Sequence, residues 1–225
     1  MNLTIRIAGK DDVEAIIDIM RKVWPDSDVH GEAVWSAIRH DHVTLVAEVD
    51  GQAAGFVDGF VTTSVTEERR WEVDLLAVAP QFQGQGIGRQ LIAKHILYGQ
   101  ENGATYTRGL IEIHNVASQR AFARCGFQSD VSVCGLYIAS IPLDLNGQAQ
   151  LSNHLIPVHT INYKGWWLEG EQTANALSNA RGFIQPDVYD LVGTLIPLTS
   201  SESIEPAIEN GYELAGHYQF WRRAL

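Results

Sequence analysis

The stretch APQFQGQGIGRQLI, residues 79–92, decides the fold, because it sets Gly84, Gly86 and Gly88 between two different kinds of segment. Before it, RRWEVDLLAVA (69–79) reads as a strand. After it, IGRQLIAKHILYGQ (87–100) carries Ile87, Leu91, Ile92, Ile96 and Leu97 on one broad helical face. One or two glycines suffice for a turn from strand to helix. Three at alternate positions also let backbone N–H groups face an anion with no Cβ in the way. The helix that begins there adds its own free N–H groups and the positive end of its dipole. A dinucleotide fingerprint requires a third glycine where Arg89 stands, and a P-loop requires Lys and Ser/Thr that are absent. What remains is a pyrophosphate held by backbone alone.

Outward from this loop, LTIRIA (3–8) alternates as a strand, and DDVEAIIDIMRKVW (11–24) is an amphipathic helix, with GEAVWSAIRH (31–40) a shorter one. HVTLVAEV and QAAGFVDGFVTT flank Asp50-Gly51, a hairpin signal. TYTRGLIEI (105–113) reads as strand, NVASQRAFARC (115–125) as a helix stopped by Gly126, and DVSVCGLYIASI as strand. The sequence therefore predicts an α/β (α+β) fold, a single mixed sheet flanked by helices. Residues 142–154 read as irregular. Beyond them come a strand over 158–170, a helix, a strand over 187–198, a helix over 200–211 and a closing strand. A faint repeat lays Asn115-x2-Ser118-x7-Gly126-Phe127 over Ser200-x2-Ser203-x7-Gly211-Tyr212. Two domains are expected, 1–141 and 142–225, the second read as a degenerate half-copy without a glycine loop.

The chain of 225 residues is 45% hydrophobic, which supports a sizeable core. It carries a net charge of −11, spread over both parts, so a nucleic-acid partner is not expected. No apolar run is long enough to span a membrane and no export signal is read, so a cytoplasmic protein is expected. Cys125 and Cys134 fit a reduced compartment and lack metal-ligand spacing, and no metal is expected. His40 and His42 share a strand face without a third ligand and read as structural.

Gln83-Gly84-Gln85-Gly86-Ile87-Gly88 matches the Q/R-x-x-G-x-G/A signature of the GNAT superfamily of acetyl-CoA-dependent N-acetyltransferases. Leu76-Ala77-Val78-Ala79-Pro80 resembles that family's fourth strand, and Asn115 with Gly126-Phe127 its "N…GF" element. The resemblance covers roughly residues 3–140. It implies a GNAT-like splayed sheet, with the remainder a degenerate half-GNAT-like extension. It further implies acetyl-CoA as co-substrate, its pantetheine arm on Leu76, Ala77 and Val78. The pyrophosphate would lie on the N–H groups of Gln83, Gly84, Gln85, Gly86, Ile87, Gly88 and Arg89, with Asn115 on the far side of the splay. An amine must lose a proton before it attacks a thioester, and a carboxylate can take it. Glu72 and Asp74 are expected on one strand face with Leu76 and Val78, Glu72 first as base and Asp74 second. The family's proton-donating tyrosine falls on Phe122, which cannot donate. Phe122 is counted with the cofactor contacts.

The expected activity is acetyl transfer to a primary amine, on a small molecule, a protein N-terminus or a lysine. A homodimer is expected from exposed sheet edges. The alternative is an acyl-CoA-binding module with weak or no catalysis, a sensor or partner-binding protein.

Overall fold

The computed structural model describes residues 2–26, 30–39, 42–147, 149–152 and 154–225. Its elements follow in chain order as β1 (Leu3–Ile7), α1 (Val13–Val23), α2 (Gly31–Arg39), β2 (Leu45–Val49), β3 (Gln52–Thr63) and β4 (Arg69–Val78). Next come α3 (Ile87–Glu101), β5 (Tyr106–Glu112), α4 (Val116–Arg124), β6 (Gln128–Ser129) and β7 (Cys134–Ala139). The remainder is β8 (Leu155–His159), β9 (Lys164–Leu168), α5 (Ala174–Arg181), β10 (Leu191–Pro197), α6 (Ser201–Glu209) and β11 (Glu213–Ala224). The turn between β2 and β3 has positive φ at Asp50 (48°) and Gly51 (82°), the conformation that the Asp-Gly pair favours.

One mixed sheet runs β1-β2-β3-β4-β5-β11-β7-β10-β9-β8, with β6 joined to β11. Pairing is antiparallel except where β4 meets β5 and β9 meets β10. The order is symmetric about the β11–β7 contact. Each side carries a hairpin (β3–β4 or β8–β9), then a parallel neighbour reached through a helix. The last strand of each side lies beside the other side's parallel strand: β11 pairs with β5, and β7 with β10. Residues 142–225 thus share a sheet with the first part, and β11 stands near its middle.

Apolar periodicity covers both faces of the first strands. Ile87, Leu91, Ile92 and Ile96 of α3 pack with Leu45, Val57, Trp71 and Val73. On the other face Ile16, Ile17 and Met20 of α1 and Val34 of α2 pack with Val46, Phe56 and Ala77. Leu177 and Ala207, from α5 and α6, cover Val192, Ile196 and Tyr137. The strand expected over 158–170 is instead a hairpin, β8 and β9. Thr160 makes the turn: its N–H donates to the Tyr163 carbonyl at 2.8 Å, and its Oγ1 accepts from Asn162 and Tyr163. A serine/threonine turn needs neither glycine nor proline, so the usual punctuation was missing from the sequence.

Candidate active site

Between β4 and α3 the chain makes a 3-10 turn at Pro80–Phe82 and then the glycine loop. Gly84 and Gly86 have φ of 75° and 77°, a left-handed conformation that side chains with a Cβ resist. A Cβ at either would meet nothing within 4 Å, so conformation, not space, requires glycine there. Gly88 has no such φ, and its Cβ would touch Val78 and Leu76 at ordinary distances of 3.7 and 3.8 Å. The side chains of Gln83 and Gln85 fold back onto the carbonyls of Val78 and Gln81. The N–H groups of residues 84–89 find no acceptor among the described residues, because Gln90 is the first to bond back, to Gly86. A bank of free donors at a helix N-terminus is suited to a pyrophosphate.

These donors open onto a cleft of about 420 Å³. Leu76, Ala77, Val78, Gln83, Gly84, Gly86, Ile87, Gly88, Arg89 and Asn115 all line it. Gln85 and Phe122 do not. The cleft leads into a gap in the sheet. β4 and β5 pair only at Arg70↔Tyr106, Trp71↔Thr107 and Glu72↔Arg108, and beyond Glu72 they part. The facing edge of β4 from Val73 onward therefore lacks its ladder, and an extended ligand bearing amides can supply the partners. Asn115 caps α4, its Oδ1 accepting from Ser118 N–H at 3.0 Å, while it lines the same cleft.

Phe122 lies elsewhere. It is 3% exposed and stacks edge-on with Phe127 at 4.7 Å. Its ring occupies the space beside Gly109, where a Cβ would come within 2.5 Å of it. It is a wedge under the parted strands.

The two candidate acids also separate. β3 and β4 slip register between Val57↔Leu76 and Gly59↔Val73, so β4 carries an extra residue at Asp74–Leu75. Such a bulge reverses the alternation. Leu76 and Val78 accordingly pack toward the α3 side, whereas Leu75 and Ala77 pack toward α1. The expectation that Glu72, Asp74, Leu76 and Val78 share one face is corrected by this single inserted residue. Glu72 is 4% exposed and engaged on all sides. It accepts from Arg108 Nε at 2.8 Å, from Arg70 Nε at 2.8 Å and from the Thr62 hydroxyl. Both arginines reach on to Glu169, which precedes α5.

Asp74 has none of these partners. Burial, together with the nearby charge of Asp58, pushes its carboxyl up to about 7. Asp58 was not singled out from the sequence, although a lone acid inside QAAGFVDGFVTT is the signal that marks it. It is fully buried in mid-strand opposite the bulge, accepting from the Thr44 hydroxyl and paired with His42 Nδ1 at 2.7 Å. Burial pulls the His42 ring down, but its hydrogen bond and ion pair with Asp58 outweigh that and leave it raised. His40 lies outside the described residues. His95 is a core residue: its Nδ1 accepts from the Trp71 indole and its Nε2 donates to the Val43 carbonyl. Burial drives it down to about 4, so it stays neutral. Among the described residues no group of three His, Cys, Asp or Glu could hold a metal ion, and no helix is long and apolar enough to cross a membrane.

Comparison with known proteins agrees with this geometry. The profile of the acetyltransferase (GNAT) family matches residues 13–127. An uncharacterized N-acetyltransferase of Methanocaldococcus jannaschii is 27% identical over 143 residues, which are 59% of this chain and 63% of that protein. The chain thus spans less than two thirds of that relative's length. An aminoglycoside N(6')-acetyltransferase of Stenotrophomonas maltophilia is 27% identical over 56% of this chain and 86% of its own. Among solved structures, the glucosamine N-acetyltransferase region of a fungal multi-domain β-N-acetylglucosaminidase aligns with 99% of this chain and 38% of that one. Its TM-score is 0.67 at 12% identity, a likeness of fold. A Pyrococcus horikoshii protein aligns with 99% of this chain and 89% of its own, at TM-score 0.63 and 12% identity. The chain belongs to the GNAT family of acetyltransferases.

Proposed function

We propose that the chain transfers an acetyl group from acetyl-CoA to a primary amine, with Asp74 rather than Glu72 as general base. The observation that carries the reading is the bank of free N–H groups at residues 84–89, opening onto a cleft that runs into the parted β4 and β5. Those N–H groups would hold the pyrophosphate, and the unpaired edge of β4 at Leu76–Val78 the amide-bearing arm. Asn115 would stand across the gap. When bound, acetyl-CoA supplies the thioester whose acyl carbon accepts the amine.

The chain's own work is to take a proton. An alkyl ammonium with a pKa near 10.4 must become a neutral amine before it attacks. An efficient base titrates near the working pH, and a carboxyl at about 7 is so placed. Glu72 fits the role less well, since two arginines already neutralise it. Phe122 offers no proton to the departing thiolate, but a thiol pKa of about 8.5 lets it leave without that help.

The test is direct. Acetyl-CoA should raise the melting temperature by several degrees, and Gly86→Glu, which sets a carboxylate among the donors, should abolish that shift. Thiol release with a panel of amines then separates an enzyme from a binding module, which the apolar Phe122 would favour. Stabilisation by acetyl-CoA with no thiol release from any amine would sustain the module instead.

A further inference from the structure

A second cavity, of about 460 Å³, opens between the outer end of β3 and the β8–β9 hairpin. Its polar lining is Lys164, His42, His159, Tyr189 and Ser36, with Phe60 as an apolar wall. Lys164 is half-buried, and its ammonium makes no ion pair among the described residues. His42 is held by Asp58 on one side and hydrogen-bonds the His159 backbone on the other. No carboxylate lines the cavity among the described residues. In a chain of net charge −11, a cavity whose described lining holds Lys164 and no carboxylate is a local reversal of sign. Such a lining recognises an anion. Tyr189, stacked on Trp166 at 4.6 Å, and Phe60 add aromatic surface for an organic body.

The position matters as much as the sign. His42 is a wall of the cavity and also the partner of Asp58, whose charge acts on Asp74. Lys164 thus lies on the cavity side of His42, and the acids that act on its ring are Asp58 and Asp74. The hairpin packs over this face, Trp167 against Phe60 at 6.0 Å, and the cavity of about 460 Å³ has the size of a small-molecule site. We infer that this cavity receives a carboxylate or phosphate group carried by the acetyl acceptor. The acceptor is then a small zwitterion, its amine toward Asp74 and its anion on Lys164. This rests on the acetyl-transfer reading above.

Two arms of one experiment decide it, on the full chain. Inorganic phosphate is titrated by calorimetry into wild type, Lys164→Arg and Lys164→Glu, each first checked for an unchanged melting temperature. Phosphate should bind wild type, at most about threefold more weakly Lys164→Arg, and at least about tenfold more weakly Lys164→Glu. In the thiol-release assay, free amino acids and amino-sugar phosphates are compared with amino-acid carboxamides and the unphosphorylated amino sugars. The anionic acceptors should show a KM about tenfold lower, and Lys164→Glu should erase that difference in KM. A phosphate affinity indifferent to Lys164→Glu, or neutral amines used as well as anionic ones, overturns the inference. If acetyl-CoA neither binds nor turns over, the transfer reading falls separately, and the phosphate arm alone decides whether the cavity is an anion site. The comparison of amino acids with amino-sugar phosphates tells carboxylate from phosphate.

Discussion

Gly84 and Gly86 owe their identity to φ, and Gly88 does not, so substitution should separate them. Gly86→Ala meets no obstacle in space yet carries the left-handed penalty of roughly 1–2 kcal/mol. Gly88→Ala should fold as wild type. Denaturant melts check both, and a Gly88→Ala as costly as Gly86→Ala would overturn the distinction. The two acids should part in the same way. Glu72→Gln weakens a buried network whose disruption costs about 3–5 kcal/mol at its worst, and should lower the melting temperature. Asp74→Asn should lower kcat by about 10²–10⁴-fold, and the wild-type rate should rise with pH through a limb near 7. Linkage gives Asp74 a second signature. Its folded pKa is raised, so it destabilises the fold increasingly as pH climbs from its ordinary 3.8 to about 7, and by a constant amount above. Asp74→Asn should therefore melt higher than wild type at ~pH 8 and equally well below 3.8. Melting curves at the two pH values settle this; an Asn variant that melts lower at both would mean the carboxylate is structurally needed.

At the scale of elements, the gap between β4 and β5 is held open by a wedge. Phe122 fills the place a side chain at position 109 would take. Gly109→Ala forces that ring or the Val73 carbonyl aside and should cost about 1–3 kcal/mol. Phe122→Tyr should not restore a proton donor: the ring tip already lies 2.8 Å from where a Cβ at 109 would be, so the hydroxyl is driven into β5. Thiol release that rises in Phe122→Tyr would refute this. These elements also show what the sequence could and could not disclose. The glycine loop, the Asp-Gly turn and the helical faces were legible because each is a local pattern of residue types. The bulge at Asp74–Leu75 was not, because it is a matter of register against β3, and no residue there announces it. The same slip put Glu72 and Leu76 on different faces. Asp58 and His42 are brought together by strand pairing, 16 residues apart, and carry no motif. The β8–β9 turn was hidden because a threonine hydroxyl did what glycine or proline more often does.

For the whole molecule, the first part is not a free-standing body. β11 covers the edge of β5 along seven residue pairs from Tyr218↔Glu112 to Ala224↔Tyr106. Glu169 neutralises Arg70 and Arg108, both nearly fully buried. A chain ending at residue 141 loses both, leaving the far edge of β5 unpaired and two buried guanidiniums with Glu72 as their one carboxylate. It should not fold; a soluble, cooperatively melting truncation that binds acetyl-CoA would overturn this. Glu169→Ala is the milder form, and should lower stability by about 3–5 kcal/mol. The other parallel pair, β9 and β10, has its ladder from Leu191↔Gly165 to Thr194↔Leu168. The Gln172 amide reaches Thr194 Oγ1 and the Leu195 carbonyl, and Thr194 donates to the Leu168 carbonyl. There a side chain, Gln172, meets backbone and hydroxyl groups at the end of the β9–β10 ladder.

The place of β11 has a temporal consequence. Ribosomes deliver residues in order, and residues 213–224 emerge after every other strand described here. Until they do, β5 and β7 wait with open edges, and the sheet that will join them is in two pieces. Such a nascent chain presents its stickiest surfaces until these residues arrive, and gains its cooperative stability only then. Pausing of translation before codon 213 should therefore increase aggregation far more than an equal pause after β11 has emerged.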